Sequence, residues 1–321
     1  MATGKFQRVF VVGAYQPNGG TWMAYHLGRI LERDFGIPAI AVTLGGEHAD
    51  NGVHDYDLRM PALTVAEMER QIAAHDLLLV NPSFSPYQFG WRLPGFKISY
   101  VQDFKTYALL DRKFDHYVAV SDFVRDFLHA VYGLDVGVIP PFIQTERLPA
   151  APPWEQRPAC DVLPYRKGLP EVWEVSFARV RERLAQRAPH IVVREPLPGN
   201  GIAQQELLAR IGSVRYLLML SAAEGFGLVP LEAMAMDTVV AGYDAFGGRH
   251  YMRNGENCLV APYPEIERVV DALIAAVEAP HTCAALLRNG RATAAEYSYA
   301  AFRARWIEEF SRIPGIGVRS S

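Results

Sequence analysis

The stretch that most constrains this chain runs from Tyr216 to Met236. Tyr216-Leu217-Leu218-Met219-Leu220 is a short apolar run of strand type, and it ends at Ser221. Gly225 and Gly227 bracket Phe226 where the chain must turn, and a helical pattern follows with Pro230 near its start. Strand, glycine turn and helix bring free backbone N–H groups and the positive end of a helix dipole to one point. Such a point suits an anion, phosphate above all. Glu224 lies at the mouth of the turn and Glu232 on the helix behind it. Carboxylates are poor partners for phosphate alone. They make sense where the ligand also offers hydroxyls, as a sugar or a ribose does.

The rest of the chain alternates in the same way. Strands are expected at Val9–Val12, Pro38–Leu44, Leu77–Val80, Ile98–Val101, Tyr117–Val120 and Val136–Ile139. The loop from Gly13 to Gly20 leads to Thr21 as N-cap of a first helix that Gly36 closes. Pro140-Pro141 and the proline-rich stretch Leu148–Pro158 lack periodicity and read as a linker. A second set of strands follows at Cys160–Leu163, Ile191–Val193, Tyr216–Leu220, Val239–Gly242 and Leu259–Val260. Helices are expected near Val172–Arg187, Ala203–Ile211, Pro230–Met236 and Glu265–Glu278. This alternation predicts an α/β fold of two doubly wound, Rossmann-like domains, with ligands beyond the carboxyl ends of the strands. The expected boundaries are residues 1–147, 148–298 and a last helical segment, 299–321.

The motifs then support a family resemblance. Glu224 and Glu232 stand in an E-x7-E spacing with Gly-Phe-Gly between them and Glu-Ala-Met-Ala after. Thr238-Val239-Val240-Ala241, Gly247-Gly248 and Asn254-Gly255-Glu256-Asn257-Cys258-Leu259-Val260 continue in order. The whole resembles the signature of family 4 glycosyltransferases of GT-B fold. That resemblance implies a retaining transfer from a nucleotide-sugar donor (a UDP-, GDP- or dTDP-sugar) to a glycan, lipid-linked or small-molecule acceptor. It implies no cofactor and no required divalent metal. The first domain would choose the acceptor, the second would bind the donor, and the last helix would cross back to the first.

Site residues follow from it. Glu224 would orient the sugar hydroxyls and Glu232 the ribose. The N–H groups of Phe226, Gly227 and Leu228 would face the diphosphate. Arg166 and Lys167 would supply positive charge to the leaving group. The family spaces these two bases apart, whereas Pro164-Tyr165-Arg166-Lys167-Gly168 has them adjacent, with Lys167-Gly168 the better match. Gly19 and Gly20 occupy the place of the family's N-terminal glycine loop near the donor phosphates. Val193-Arg194-Glu195-Pro196 falls where the family brackets the nucleotide base, which puts Glu195 beside the donor. Val101-Gln102-Asp103 resembles a subgroup that includes rhamnosyltransferases. Asp103 is read either as a cleft residue, the candidate base of an inverting reaction, or as a helix N-cap.

Other classes are set aside. The net charge of −3 shows no nucleic-acid footprint. Cys160, Cys258 and Cys283 have no disulfide or zinc spacing and read as buried free thiols. Asp55-Tyr56-Asp57 is a D-x-D that does not follow a strand, so a metal reading is disfavoured. The apolar run Val9–Val12 is too short for a leader or a span. The expectation is a cytoplasmic protein, with peripheral contact at the inner face of a membrane left open. Two alternatives remain at this level: a non-catalytic nucleotide-sugar-binding subunit of a glycan-assembly complex, and another GT-B enzyme such as a sugar-nucleotide epimerase.

Overall fold

The computed structural model describes residues 6–13, 19–43, 60–102 and 109–317. The chain divides into two compact units. One comprises Met1–Pro141 with Ala300–Ser321, the other Phe142–Tyr299. The division thus falls at Pro140-Pro141, ahead of the 147/148 boundary suggested by the second proline-rich stretch.

The first unit is built on β1 (Val9–Val12), β2 (Ala39–Thr43), β3 (Ala62–Thr64), β4 (Leu77–Val80), β5 (Phe96–Val101), β6 (His116–Ala119) and β7 (Gly137–Val138). These form one parallel sheet in the order β3-β2-β1-β4-β5-β6-β7. The order reverses between β1 and β4, the switch point at which such sheets bind ligands. Helices α1 (Gly19–Phe35), α2 (Val65–Gln71), α3 (Phe89–Arg92) and α4 (Asp122–Tyr132) connect the strands. Continuous apolar runs are what a sheet buried on both faces requires. Phe10, Val12, Val42, Leu78 and Val80 supply one face, packed on Met68, Ile72, Phe84, Phe89 and Leu93.

The last helix, α10 (Tyr299–Ser311), belongs almost wholly to this unit. Its Trp306 is fully buried, edge-on to Tyr100 at 5.1 Å between ring centroids. Glu309 pairs with His116 at 2.8 Å, and Arg303 pairs with Asp34.

The second unit holds β8 (Asp161–Arg166), β9 (Val192–Val193), β10 (Leu197–Pro198), β11 (Tyr216–Met219), β12 (Val239–Tyr243) and β13 (Leu259–Ala261). The order is β10-β8-β11-β12-β13, all parallel, with β9 also on β8. Its switch point lies between β8 and β11. Helices α5 (Pro170–Arg187), α6 (Gln204–Gly212), α7 (Val229–Ala235), α8 (Ile266–Glu278) and α9 (Cys283–Ala295) cover it. One face, from Val162, Tyr216, Leu218, Val239 and Ala241, packs on Trp173, Phe177 and Val180 of α5 and on Val270 and Leu273 of α8.

The expected α/β class and doubly wound sheets are present. Several local expectations are corrected. Helix α1 begins at Gly19, so Gly19 and Gly20 form its first turn and Thr21 lies inside it, not at the cap. A hydroxyl caps a helix from the residue just before its first helical one, and Thr21 is the third residue of α1. Strand β8 runs on through Pro164. Its neighbour is interrupted at residues 194–196, between the β9 pairs at Asp161 and Val162 and the β10 pairs at Tyr165 and Arg166. A residue without an N–H is tolerated where the neighbouring strand has broken off. Strands β3 and β10 and helices α2, α3 and α9 have no counterpart in the sequence reading.

Candidate functional site

The site grows from the carboxyl ends of β8 and β11, the two strands that flank the switch point of the second unit. Beyond β11, Ser221 is buried, and its hydroxyl donates to Glu224 Oε1 at 2.8 Å. Beyond β8, Lys167 Nζ lies 3.7 Å from Glu224 Oε2. The carboxylate is therefore held from both sides, by a hydroxyl and by an ammonium. Gly168 makes this approach possible. Its φ is +96°, and a Cβ there would sit 2.8 Å from Ser221 Oγ.

The turn after Glu224 is fixed by its neighbours. Gly227 has φ +89°, and its carbonyl accepts from the Tyr251 hydroxyl at 2.6 Å. The Phe226 ring packs on Tyr251 (4.9 Å), Tyr297 (5.4 Å) and His250 (5.8 Å between ring centroids). Tyr251 is fully enclosed, which pushes its hydroxyl pKa well up and keeps it a neutral donor. Helix α7 then starts at Val229, with Pro230 in its first turn. From it Glu232 points into the buried interior, 6% exposed, and accepts from Gln204 Nε2 at 3.1 Å. Burial raises the Glu232 carboxyl from its ordinary 4.5 to about 6, against the opposing pull of Gln204 and Lys167. Burial likewise raises the Tyr165 hydroxyl, and Lys167 lowers it in part.

Of the residues singled out in the sequence, Glu224, Lys167, Phe226, Gly227, Leu228 and Glu232 are gathered here. Arg166 is not. Its guanidinium pairs with Glu174 and lies 5.7 Å from the centre of the Trp173 ring on α5. With Glu195, Arg181 and Arg194 it lines a separate cavity of ≈ 420 Å³ at the β9–β10 edge of the sheet. Arg166 closes β8 on the face that carries α5, and Lys167, the first residue beyond the strand, is the base that reaches Glu224. Gly19 and Gly20 belong to the first unit, where Gln102 Nε2 donates to Gly20 O at 3.4 Å. Asp103, Asp55 and Asp57 lie outside the described residues. Among the described residues there is no group of three or more His, Cys, Asp or Glu placed to hold a metal ion. Nor is any single helix there long and apolar enough to cross a membrane. Sequence reasoning missed the parts played by Ser221, Gln204 and Tyr251. Ser221 stands three residues before Glu224 and could have been read as its partner. Gln204 and Tyr251 reach the site through the fold alone and carry no spacing signal.

The family described as "Glycosyl transferases group 1" matches residues 201–293, the segment that holds Glu224, Glu232 and the turn between them. No curated protein matches the chain. Among solved structures, the chain is similar to Anabaena Alr3699/HepE in complex with UDP and glucose, with TM-score 0.75 and 12% identity, over 96% of this chain and 100% of that one. It is similar to sucrose-phosphate synthase (tll1590) from Thermosynechococcus elongatus, with TM-score 0.68 and 15% identity, over 95% and 98%. TarM of S. aureus, solved with Fondaparinux, alpha-GlcNAc-glycerol and UDP, matches with TM-score 0.60 and 14% identity over 76% of this chain, which spans only 57% of TarM. At these identities the likeness is one of fold, and the fold is GT-B. The segment match and the fold together support a glycosyltransferase enzyme.

Proposed function

We propose that this chain transfers a sugar from a nucleotide-sugar donor to a hydroxyl of a glycan, lipid-linked or small-molecule acceptor, with retention of configuration and without a required metal. The observation that carries the reading is the Ser221–Glu224–Lys167 cluster at the mouth of the glycine turn. A carboxylate fixed in direction by a hydroxyl and an ammonium is an acceptor for sugar hydroxyls. The same ammonium stands where a diphosphate gathers negative charge. The N–H groups of residues 226–228, in the turn that precedes α7, would offer further donors to the diphosphate. Glu232, held by Gln204, would take the ribose.

In the step proposed, the bond from the anomeric carbon to the diphosphate oxygen loosens and positive charge develops on the sugar. The acceptor oxygen bonds to that carbon on the face the leaving group vacates. The acceptor's proton passes to the departing diphosphate, whose charge Lys167 and the turn amides stabilise. Arg166, paired with Glu174, is left outside this set, and Glu195 reaches the donor only if the base extends to the β9–β10 edge. Alr3699/HepE and TarM were each captured with UDP, which puts UDP-sugars at the head of the donor panel, before GDP- and dTDP-sugars.

The test is release of nucleoside diphosphate from that panel, with and without added acceptor, for the wild type and Glu224→Ala. The wild type should turn over at least one donor, and the variant should lose on the order of 10²-fold or more while remaining folded by circular dichroism. Turnover by Glu224→Ala close to wild type would remove Glu224 from the site. Binding without turnover, by the wild type, would favour the non-catalytic subunit instead.

A further inference from the structure

The segment after β12 crosses directly over the Glu224 turn. Glu224 N donates to Ala245 O at 3.0 Å, and Gly247 N donates to Glu224 O at 3.2 Å and to Ala245 O at 2.7 Å. Phe246 forms a parallel bridge with Glu224. Two consecutive residues other than glycine are left-handed here: Ala245 at φ 50° and Phe246 at φ 58°, ψ −64°. The bond from Gly247 N back to Ala245 O closes a γ-turn about Phe246, in the rare and strained hand of that turn.

Such strain persists only where the surroundings over-determine it, and it clusters at ligand clamps. The surroundings here do so. The buried Asp244 carboxylate accepts from Phe246 N at 3.1 Å and from Arg249 Nε at 2.7 Å. The Arg249 guanidinium lies 4.7 Å from the centre of the Phe246 ring. Gly247 cannot carry a side chain, because a Cβ would lie 2.2 Å from Gly225 O. A glycine at position 246 would release the strain. The chain instead keeps a half-buried phenyl group there, outside the apolar core of the second unit.

We propose that Phe246 determines donor specificity: its ring, clamped beside Glu224 by Asp244 and Arg249, packs against the apolar face of the donor's sugar. This rests on the donor-binding reading above. A sugar ring in the chair form has a face of C–H groups and a rim of hydroxyls. Glu224 accepts from the rim while the electron-rich face of the phenyl ring meets the C–H groups. The nucleotide, bound by Lys167 and the turn amides, would be indifferent to the ring.

The experiment compares the wild type, Phe246→Gly and Phe246→Leu. It measures the affinity of nucleoside diphosphate alone by calorimetry, and the affinity and turnover of a series of hexoses on the same nucleotide. Phe246→Gly should melt at or above the wild-type temperature, because the strained turn is relaxed. Its affinity for the nucleoside diphosphate should stay within about twofold, while discrimination between the best and next-best hexose in kcat/KM falls about 10-fold. Phe246→Leu, which keeps bulk but no aromatic face, should lie between. Unchanged discrimination in both variants overturns the role of Phe246 and leaves the donor site standing. So does an equal loss of affinity for the nucleotide alone, which would mean that the ring acts through the turn. A wild type that binds no nucleotide sugar overturns the donor site and this inference together.

Discussion

Replacing Glu232 with glutamine should stabilise the free protein, and by an amount that depends on pH. Glu232 is 6% exposed, and burial lifts its carboxyl from 4.5 to about 6. The folded protein thus holds this proton more tightly than the unfolded chain does. Below pH 4.5 both states are protonated and burial carries no ionic penalty. As pH rises through 4.5 to 6 the unfolded chain ionises first, and stability is lost until the folded carboxyl ionises too. The interval from 4.5 to about 6, at roughly 1.4 kcal/mol per pH unit, makes the loss about 2 kcal/mol above pH 7. Glutamine has the same shape, and its amide oxygen can keep the bond that Oε1 receives from Gln204 Nε2 at 3.1 Å. It cannot ionise.

Urea unfolding of the wild type and Glu232→Gln, followed by the fluorescence of Trp154 and Trp173 in the second unit, measures the difference. The variant should be more stable by about 2 kcal/mol at pH 8, with the advantage shrinking below about 1 kcal/mol at pH 5. A constant difference across that range, or a less stable variant at pH 8, would refute the argument. Nucleotide should reverse the order. A ligand stabilises the folded protein that binds it by RT ln(1 + L/Kd), where L is its free concentration, so the tighter binder gains more. If ribose hydroxyls donate to the Glu232 carboxylate, the wild type gains more from nucleoside diphosphate than the variant does.

Lys167→Met and Arg166→Met should separate two adjacent bases. Calorimetry with UDP should show affinity falling about 10-fold or more for the Lys167 change, which removes the ammonium 3.7 Å from Glu224, and by less than about twofold for the Arg166 change. Equal losses would put both bases on the nucleotide. Arg157 is a buried structural clamp, 4% exposed, donating to the carbonyls of Pro152, Val214, Met236 and Asp237 and to Thr238 Oγ1. Arg157→Met leaves those acceptors without their donor and should cost about 3 kcal/mol or more in urea unfolding of the second unit. A cost under about 1 kcal/mol would show that water replaces the guanidinium.

Long apolar strands and strongly amphipathic helices were legible in the sequence because burial imposes their pattern directly. Leu77–Val80 and Tyr216–Met219 are of this kind, and so is α8, expected near Glu265–Glu278 and found at Ile266–Glu278. The segments that went unread have weaker signals. Strand β3 is short and only half-buried, held by its register on β2. Helix α2 does carry a mark, Thr64 and Glu67 in a reciprocal capping box, but it is only seven residues long. Helix α9 is alanine-rich and lacks a side-chain cap, and its buried face of Cys283, Leu286, Gly290 and Ala294 is too small to read as apolar. Pro164 made β8 look finished at Leu163, because the interruption of the neighbouring strand that accommodates a proline is visible only in the assembled sheet.

The same limit explains the site. Glu224, Glu232 and the turn between them sit on one short stretch, so their spacing on strand, turn and helix brings them together whatever surrounds them. Lys167 comes from another strand, and only the sheet order brings β8 beside β11. Given that order, the choice between Arg166 and Lys167 follows from geometry. Val162 packs with α5 and α8 on one face of β8, and the two-residue period puts Arg166 on that face and Lys167 on the other. Gly168, left-handed and without a Cβ, lets the backbone next to Lys167 press against Ser221, the residue that also holds Glu224. The positive charge beside Glu224 is therefore set by strand parity and one glycine. A residue inserted between Tyr165 and Arg166 would exchange the faces of the two bases.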